Sequence, residues 1–165
     1  MENSSAASSA YANNESEINE ILAQCSYGKL TEAILNDVLI FTASYPQFEV
    51  SMSYEGNKNN KVIVLYGKES IYKDEYLREM GKNVQYNISI VLPSGYPYKA
   101  PKIYILDELS DFENSIISKK NNKLKITELR NWTADDGVDL TLAYARVIEA
   151  LTQYPPVKGV SRKSK

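Results

Sequence analysis

The chain contains no histidine among its 165 residues. That absence removes the usual general base at neutral pH, the commonest metal ligand and any Ser-His-Asp or Cys-His catalytic arrangement. Cysteine is almost missing as well. The single one, Cys25, can close no internal disulfide, and without histidine it anchors no zinc site. No cofactor and no metal are expected. No apolar run approaches the roughly 18 residues that a membrane-crossing helix needs. An excess of positive charge is also lacking: 19 Lys+Arg face 21 Asp+Glu, so the composition offers no general affinity for a nucleic-acid backbone. The N-terminus has no basic segment followed by an apolar one, so no secretory leader is expected and the protein reads as cytoplasmic. The Asn-x-Ser/Thr matches at Asn3, Asn14, Asn87 and Asn131 are then chance occurrences.

What is present is enough apolar material, 43% of the residues, for the core of one domain. Residues 1–15 are rich in Ser, Ala and Asn without an apolar period, which predicts a disordered tail. Residues 158–165, KGVSRKSK, form a basic tail, and a charge run of this kind is ordinarily solvated. Between them, Ile18, Ile21, Leu22 and Cys25 recur at helical spacing, with Asn14 or Ser16 as the cap and Gly28 as the break. This places Cys25 on an apolar helix face, where a free cysteine behaves as a small hydrophobe. A second helix from about Leu30 carries Leu30, Ile34, Val38 and Phe41 on one face and stops before Pro46.

The period then changes to two. Phe48, Val50, Met52 and Tyr54 alternate with polar residues as in a half-buried strand. After the turn EGNKNN, the run KVIVLY from Lys61 is apolar throughout and predicts a central strand. A looser polar stretch, Lys68 to Lys82, leads to a third strand on which Val84, Tyr86, Ile88, Ile90 and Leu92 alternate. The turn-rich LPSGYPYKAP follows, and Ile103 and Ile105 mark a short fourth strand. A long irregular stretch from about Asp107 to Gly137 is unusual in a compact domain and often functional. A last helix from about Val138 to Thr152 buries Leu140, Tyr144, Val147 and Leu151. Asp135, Asp136 and Asp139 suit its positive end, and the Asp135–Asp136 pair is better read as capping than as an acid and base. Pro155 and Pro156 end the helix. The expected class is α+β, a four-stranded antiparallel meander packed on N- and C-terminal helices.

Four short motifs in this order carry a family resemblance. Tyr96-Pro97-x-x-x-Pro101 resembles the turn after the third strand of ubiquitin-conjugating enzymes and of RWD domains, where each proline fixes φ and stiffens the chain. Leu129-x-x-Trp132, Pro155-Pro156-Val157 and the strand from Val84 are similar to the ubiquitin-conjugating-enzyme variant (UEV) domain of the ESCRT-I tumour-susceptibility type. The resemblance implies a UEV domain over residues 16–157. It places Lys125 where the enzymes have their cysteine, and their His-Pro-Asn motif is impossible here. Thioester transfer needs a reactive thiolate, so the expectation is no enzymatic activity.

The same resemblance implies two ligands. A proline-rich peptide of the Pro-Thr/Ser-Ala-Pro type would meet Tyr86 and Asn87 on the third strand, Phe112, and Val157 and Lys158 of a C-terminal arm. Such peptides are already extended and lose little entropy on flat aromatic surfaces. Lys158 stands where the family has an aromatic residue, which implies altered peptide selection favouring an acidic neighbour. Tyr86 is expected at a groove edge with a wet hydroxyl. Ubiquitin would meet Met52, Tyr54 and Glu55 on the first hairpin and Tyr104 on the fourth strand. The implied role is an adaptor in endosomal sorting, peripheral at endosomes, with other ESCRT-I subunits as partners. The alternatives are a non-catalytic partner of an active conjugating enzyme and an RWD-type interaction module.

Overall fold

The computed structural model describes residues 14–56, 59–72, 83–110, 114–133 and 139–159. The first helix, α1, is Glu15–Ala23. Asn14 caps it, its side chain accepting from the Glu17 backbone N–H at 2.9 Å, the usual way of satisfying a free helix N-terminus. Ordered structure therefore starts inside the expected 1–15 tail. Gly28 ends the link to the next helix with a φ of 59°, a conformation that glycine adopts without steric cost. Helix α2, Thr31–Ser44, buries Ile34, Val38 and Phe41 and stops ahead of Pro46 as expected.

Strands β1 (Glu49–Glu55), β2 (Asn60–Ile71), β3 (Val84–Val91) and β4 (Lys102–Ile105) form one antiparallel sheet in sequence order. The register is unbroken, with Val50 paired to Leu65, Leu65 to Ile90 and Ile90 to Ile103. Paired residues share a side of the sheet, and all four of these are fully buried on the side that carries the helices. On β2, Val62, Ile63, Val64 and Leu65 are all buried, so both of its sides are covered. A strand in that position reads as a continuous apolar run rather than an alternating one. β2 extends to Ile71, through the start of the stretch predicted as a loose connection.

The segment after β4 is less irregular than predicted. Leu124 donates its backbone N–H to Ile103 and Ile105 donates to Asn122, so residues 122–124 cover the outer edge of β4. Ile116, Ile117, Leu124, Ile126 and Leu129 enter the core, and Thr127–Arg130 forms a short helix, α3. Helix α4 is Leu140–Gln153, capped by Asp139, whose side chain accepts from the Leu142 N–H at 2.9 Å. Asp135 and Asp136 lie outside the described residues. Phe41, Phe48 and Tyr144 stack edge to face, with centroids 5.1 to 5.5 Å apart, where α2 and α4 meet the sheet, a geometry that the ring quadrupoles favour. No described helix is long and apolar enough to cross a membrane.

Two of the motifs meet in space. Trp132 donates its indole N–H to the Pro97 carbonyl at 2.6 Å, and its ring lies 6.0 Å from that of Tyr96. The Tyr96 hydroxyl donates to Asp37 of α2, so the turn before β4 is fastened to the helix layer.

Candidate functional site

After α4 the chain turns at Tyr154 and runs back as an arm, residues 155–159. Ser110 donates its N–H to the Val157 carbonyl at 2.8 Å, Gly159 donates to Glu108 at 3.2 Å, and Leu109 bridges Lys158 in antiparallel fashion. Lys158 is thus part of the ordered arm and not of a solvated tail. A Cβ on Gly159 would lie 2.7 Å from the Ser110 Cα. Only glycine lets the two backbones approach this closely.

Beneath the arm sits Tyr86 of β3. Its side chain is fully buried and its hydroxyl donates to the Pro156 carbonyl at 2.5 Å. The expectation of a wet hydroxyl at a groove edge is corrected here: the arm covers the ring, and the hydroxyl satisfies a backbone acceptor instead of water. Burial, helped by the nearby Asp107 carboxylate, pushes the Tyr86 hydroxyl up to about 12. It therefore remains a donor at physiological pH.

Asn87 faces the opposite side of β3. Its backbone N–H and its side-chain amide both donate to the Asp107 carboxylate, at 2.6 and 2.8 Å. Lys158 reaches the same carboxylate at 3.7 Å, and its ammonium lies 5.8 Å from the Tyr86 ring centroid, within cation–π range. Val157 is 53% exposed. Tyr86, Asn87, Val157 and Lys158 are therefore brought together, while Phe112 lies outside the described residues. Asp107 links Asn87 to Lys158, and the sequence reading missed it. One acidic residue two positions after a short strand carries no period or motif by which to find it.

The four residues of the expected ubiquitin surface do not share one side of the sheet. Met52 pairs with Ile63 and Tyr54 with Lys61, on the helix-facing side, where the strand runs out beyond the core. Tyr54 is 57% exposed, with the Lys61 ammonium 5.5 Å from its ring centroid. Tyr104 pairs with Ser89 on the outer side, and strand alternation puts Glu55 on that side too. Glu55 accepts from the Ser94 N–H at 3.2 Å, which fastens the hairpin end to the turn after β3.

Lys125 exposes its side chain beside a cleft between the β1–β2 hairpin, the Pro93–Lys102 turn and α3. Its backbone N–H donates to Ile116 at 2.7 Å. Cys25 lies two residues past the end of α1 rather than within it, half-buried, with its Sγ 3.3 Å from the Ile21 carbonyl. Burial raises its thiol to about 11, against a smaller opposing pull from Lys61. No group of three or more metal-type side chains occurs among the described residues.

No protein-family model matches the sequence, and no curated protein matches it. Solved structures do match. The yeast Vps23 UEV domain in complex with a Vps27 PSDP peptide aligns with a TM-score of 0.63 at 15% identity, covering 88% of this chain and 96% of that one. A complex of the Vps23 UEV with ubiquitin aligns with a TM-score of 0.60, also at 15% identity, over 86% and 94%. At this identity the likeness establishes a fold: a four-stranded antiparallel sheet with helices, arranged as in a UEV domain.

Proposed function

We propose that this chain, which has the UEV fold, is a non-catalytic receptor for ubiquitin and for proline-rich peptides, acting as an adaptor in endosomal protein sorting. The observation that carries the proposal is the anchored arm. Tyr86 holds the Pro156 carbonyl, and the arm's ladder with residues 108–110 leaves Val157 exposed next to Lys158 and Asn87. That is a fixed, partly apolar edge against which an extended peptide can lie. The solved complexes of the similar domain hold a PSDP peptide in one case and ubiquitin in the other. An acidic residue in such a peptide suits Lys158, which would be shared with Asp107. Other ESCRT-I subunits and an endosomal, cytoplasmic location belong to the same reading.

The absence of conjugating activity rests on the chemistry of the one thiol. Cys25 is half-buried with its Sγ held 3.3 Å from the Ile21 carbonyl, and burial further disfavours the thiolate that would act as nucleophile. Incubation with activating enzyme, ATP and ubiquitin is expected to leave no reducible adduct. An adduct abolished by Cys25→Ser would refute the reading. The peptide half is tested by fluorescence titration of a labelled Pro-Ser-Asp-Pro peptide. Lys158→Glu should weaken binding by about tenfold, because it reverses the charge facing the acidic residue. Unchanged affinity would remove Lys158 from the peptide site.

A further inference from the structure

The cleft beside Lys125 gathers positive charge from several parts of the chain. Lys99, Lys102, Lys123, Lys125 and Arg130 all line it, against the single carboxylate of Glu55. The whole chain is net negative, at −2. Glu55 is already engaged with the Ser94 N–H. Among the described residues, none of the five cations forms an ion pair. Elsewhere, Lys158 meets Asp107 and Arg146 meets Glu149.

The backbone imposes this crowding. Leu124 is buried, its N–H held by Ile103, so its neighbours Lys123 and Lys125 both project the other way in an extended segment. Lys123 bridges Tyr104 of β4, on the side of the sheet that also carries Lys102. Like charges brought together on one surface repel, and among the described lining residues Glu55 alone offsets five cations. An anionic ligand would offset the remainder.

We propose that this cleft binds a ligand bearing clustered phosphates, in chemistry an inositol polyphosphate, either free or as a lipid head group. Four of the five cations are lysines, whose ammonium groups serve as point charges for phosphate oxygens, and Arg130 adds a fork that phosphate also accepts. Among the described residues no aromatic side chain lines the cleft, so they offer no platform on which nucleic-acid bases could stack. A peptide would need a free strand edge or apolar pockets. The β4 edge is already covered by residues 122–124, and the apolar walls Leu124 and Leu129 are 1% and 8% exposed. Among the described residues none of the arm lines the cleft, whereas Glu55 of the expected ubiquitin surface does; the inference rests on the cations alone and not on the peptide or ubiquitin reading.

The test is calorimetric titration of the full chain with inositol trisphosphate, alongside flotation with phosphatidylcholine vesicles doped with a phosphatidylinositol bisphosphate. Both are run on wild type, on Lys123→Gln/Lys125→Gln and on Lys29→Gln, a lysine outside the cleft. Wild type and Lys29→Gln should bind the trisphosphate, more weakly as salt rises. The double variant should bind at least about tenfold more weakly, the loss of one or two charge-assisted contacts. Vesicle binding with the same variant dependence assigns a lipid head group; trisphosphate binding alone assigns a soluble ligand. Failure to bind either probe overturns the proposal. So does equal binding by wild type and the double variant, or tighter binding of a polyglutamate peptide than of the trisphosphate.

Discussion

Two tyrosine hydroxyls fasten the arm and the turn before β4 to the rest of the fold. Tyr86 ties the arm to β3, and its loss as a donor should be local. Tyr86→Phe leaves the buried Pro156 carbonyl without its partner, a cost of about 1–3 kcal/mol. Urea unfolding should register that loss, and amide exchange should speed up at Ser110 and Gly159, whose N–H groups form the arm's ladder. Exchange there at wild-type rates would mean that the arm is held by other contacts. Tyr96 ties the turn before β4 to Asp37. Burial lifts the Asp37 carboxyl above its ordinary 3.8, more than its hydrogen bond with Tyr96 lowers it. The folded chain therefore keeps this proton to higher pH than the unfolded chain does. The stabilisation it gives is complete below 3.8 and is lost as pH rises through the raised value. Asp37→Asn retains an acceptor for Tyr96 but does not titrate. Its melting temperature relative to wild type should therefore increase between about pH 4 and pH 7. A difference constant across that range would contradict the shift.

At the scale of elements, legibility follows from how each one is packed. α1, α2, β3 and α4 each bury one face, so the period of their apolar residues revealed them. β2 is buried on both sides over Val62–Leu65 and was legible as an unbroken apolar run. Its extension to Ile71 was hidden because Gly67, Lys68, Glu69 and Ser70 carry no apolar alternation; they are strand residues because Gly67 to Ser70 pair with Gln85 to Ile88. The segment after β4 escaped for a different reason. Its core residues are isolated apolar positions; Lys123 alone bridges to β4, at Tyr104, and Ile117 bridges Leu124 within the segment, and single bridges leave no period. The candidate peptide site was half legible. Tyr86, Asn87, Val157 and Lys158 were found through motifs, but their junction, Asp107, and the burial of Tyr86 depend on where the arm lands. Gly159→Ala probes that landing directly. The added Cβ would press on the Ser110 backbone, which cannot swing aside as a side chain can. Overpacking of this kind costs typically about 1–3 kcal/mol. It should detach the arm's end while leaving the core intact, seen as lost peptide affinity with a nearly unchanged far-ultraviolet circular dichroism spectrum. Unaltered peptide affinity would uncouple the arm's end from the site.

As a whole molecule, the chain presents three surfaces on one sheet-and-helix frame: the anchored arm, the β1–β2 hairpin and the basic cleft, which the hairpin end helps to line. The family resemblance implies one ubiquitin patch made of the hairpin and Tyr104. The register separates them, because a strand's neighbours alternate sides and a sequence match does not say which side a partner will use. Met52 and Tyr54 lie towards the helices, Glu55 and Tyr104 towards the outside. The measurement that bears most directly on the receptor reading is a nuclear magnetic resonance titration of the isotope-labelled chain, first with ubiquitin and then with a Pro-Ser-Asp-Pro peptide. Ubiquitin should shift the signals of Met52, Tyr54 and Glu55, and the peptide those of Asn87, Val157 and Lys158, each without disturbing the other set. Shifts clustered on α1 and α2, or no shifts with either ligand from a folded chain, would contradict it.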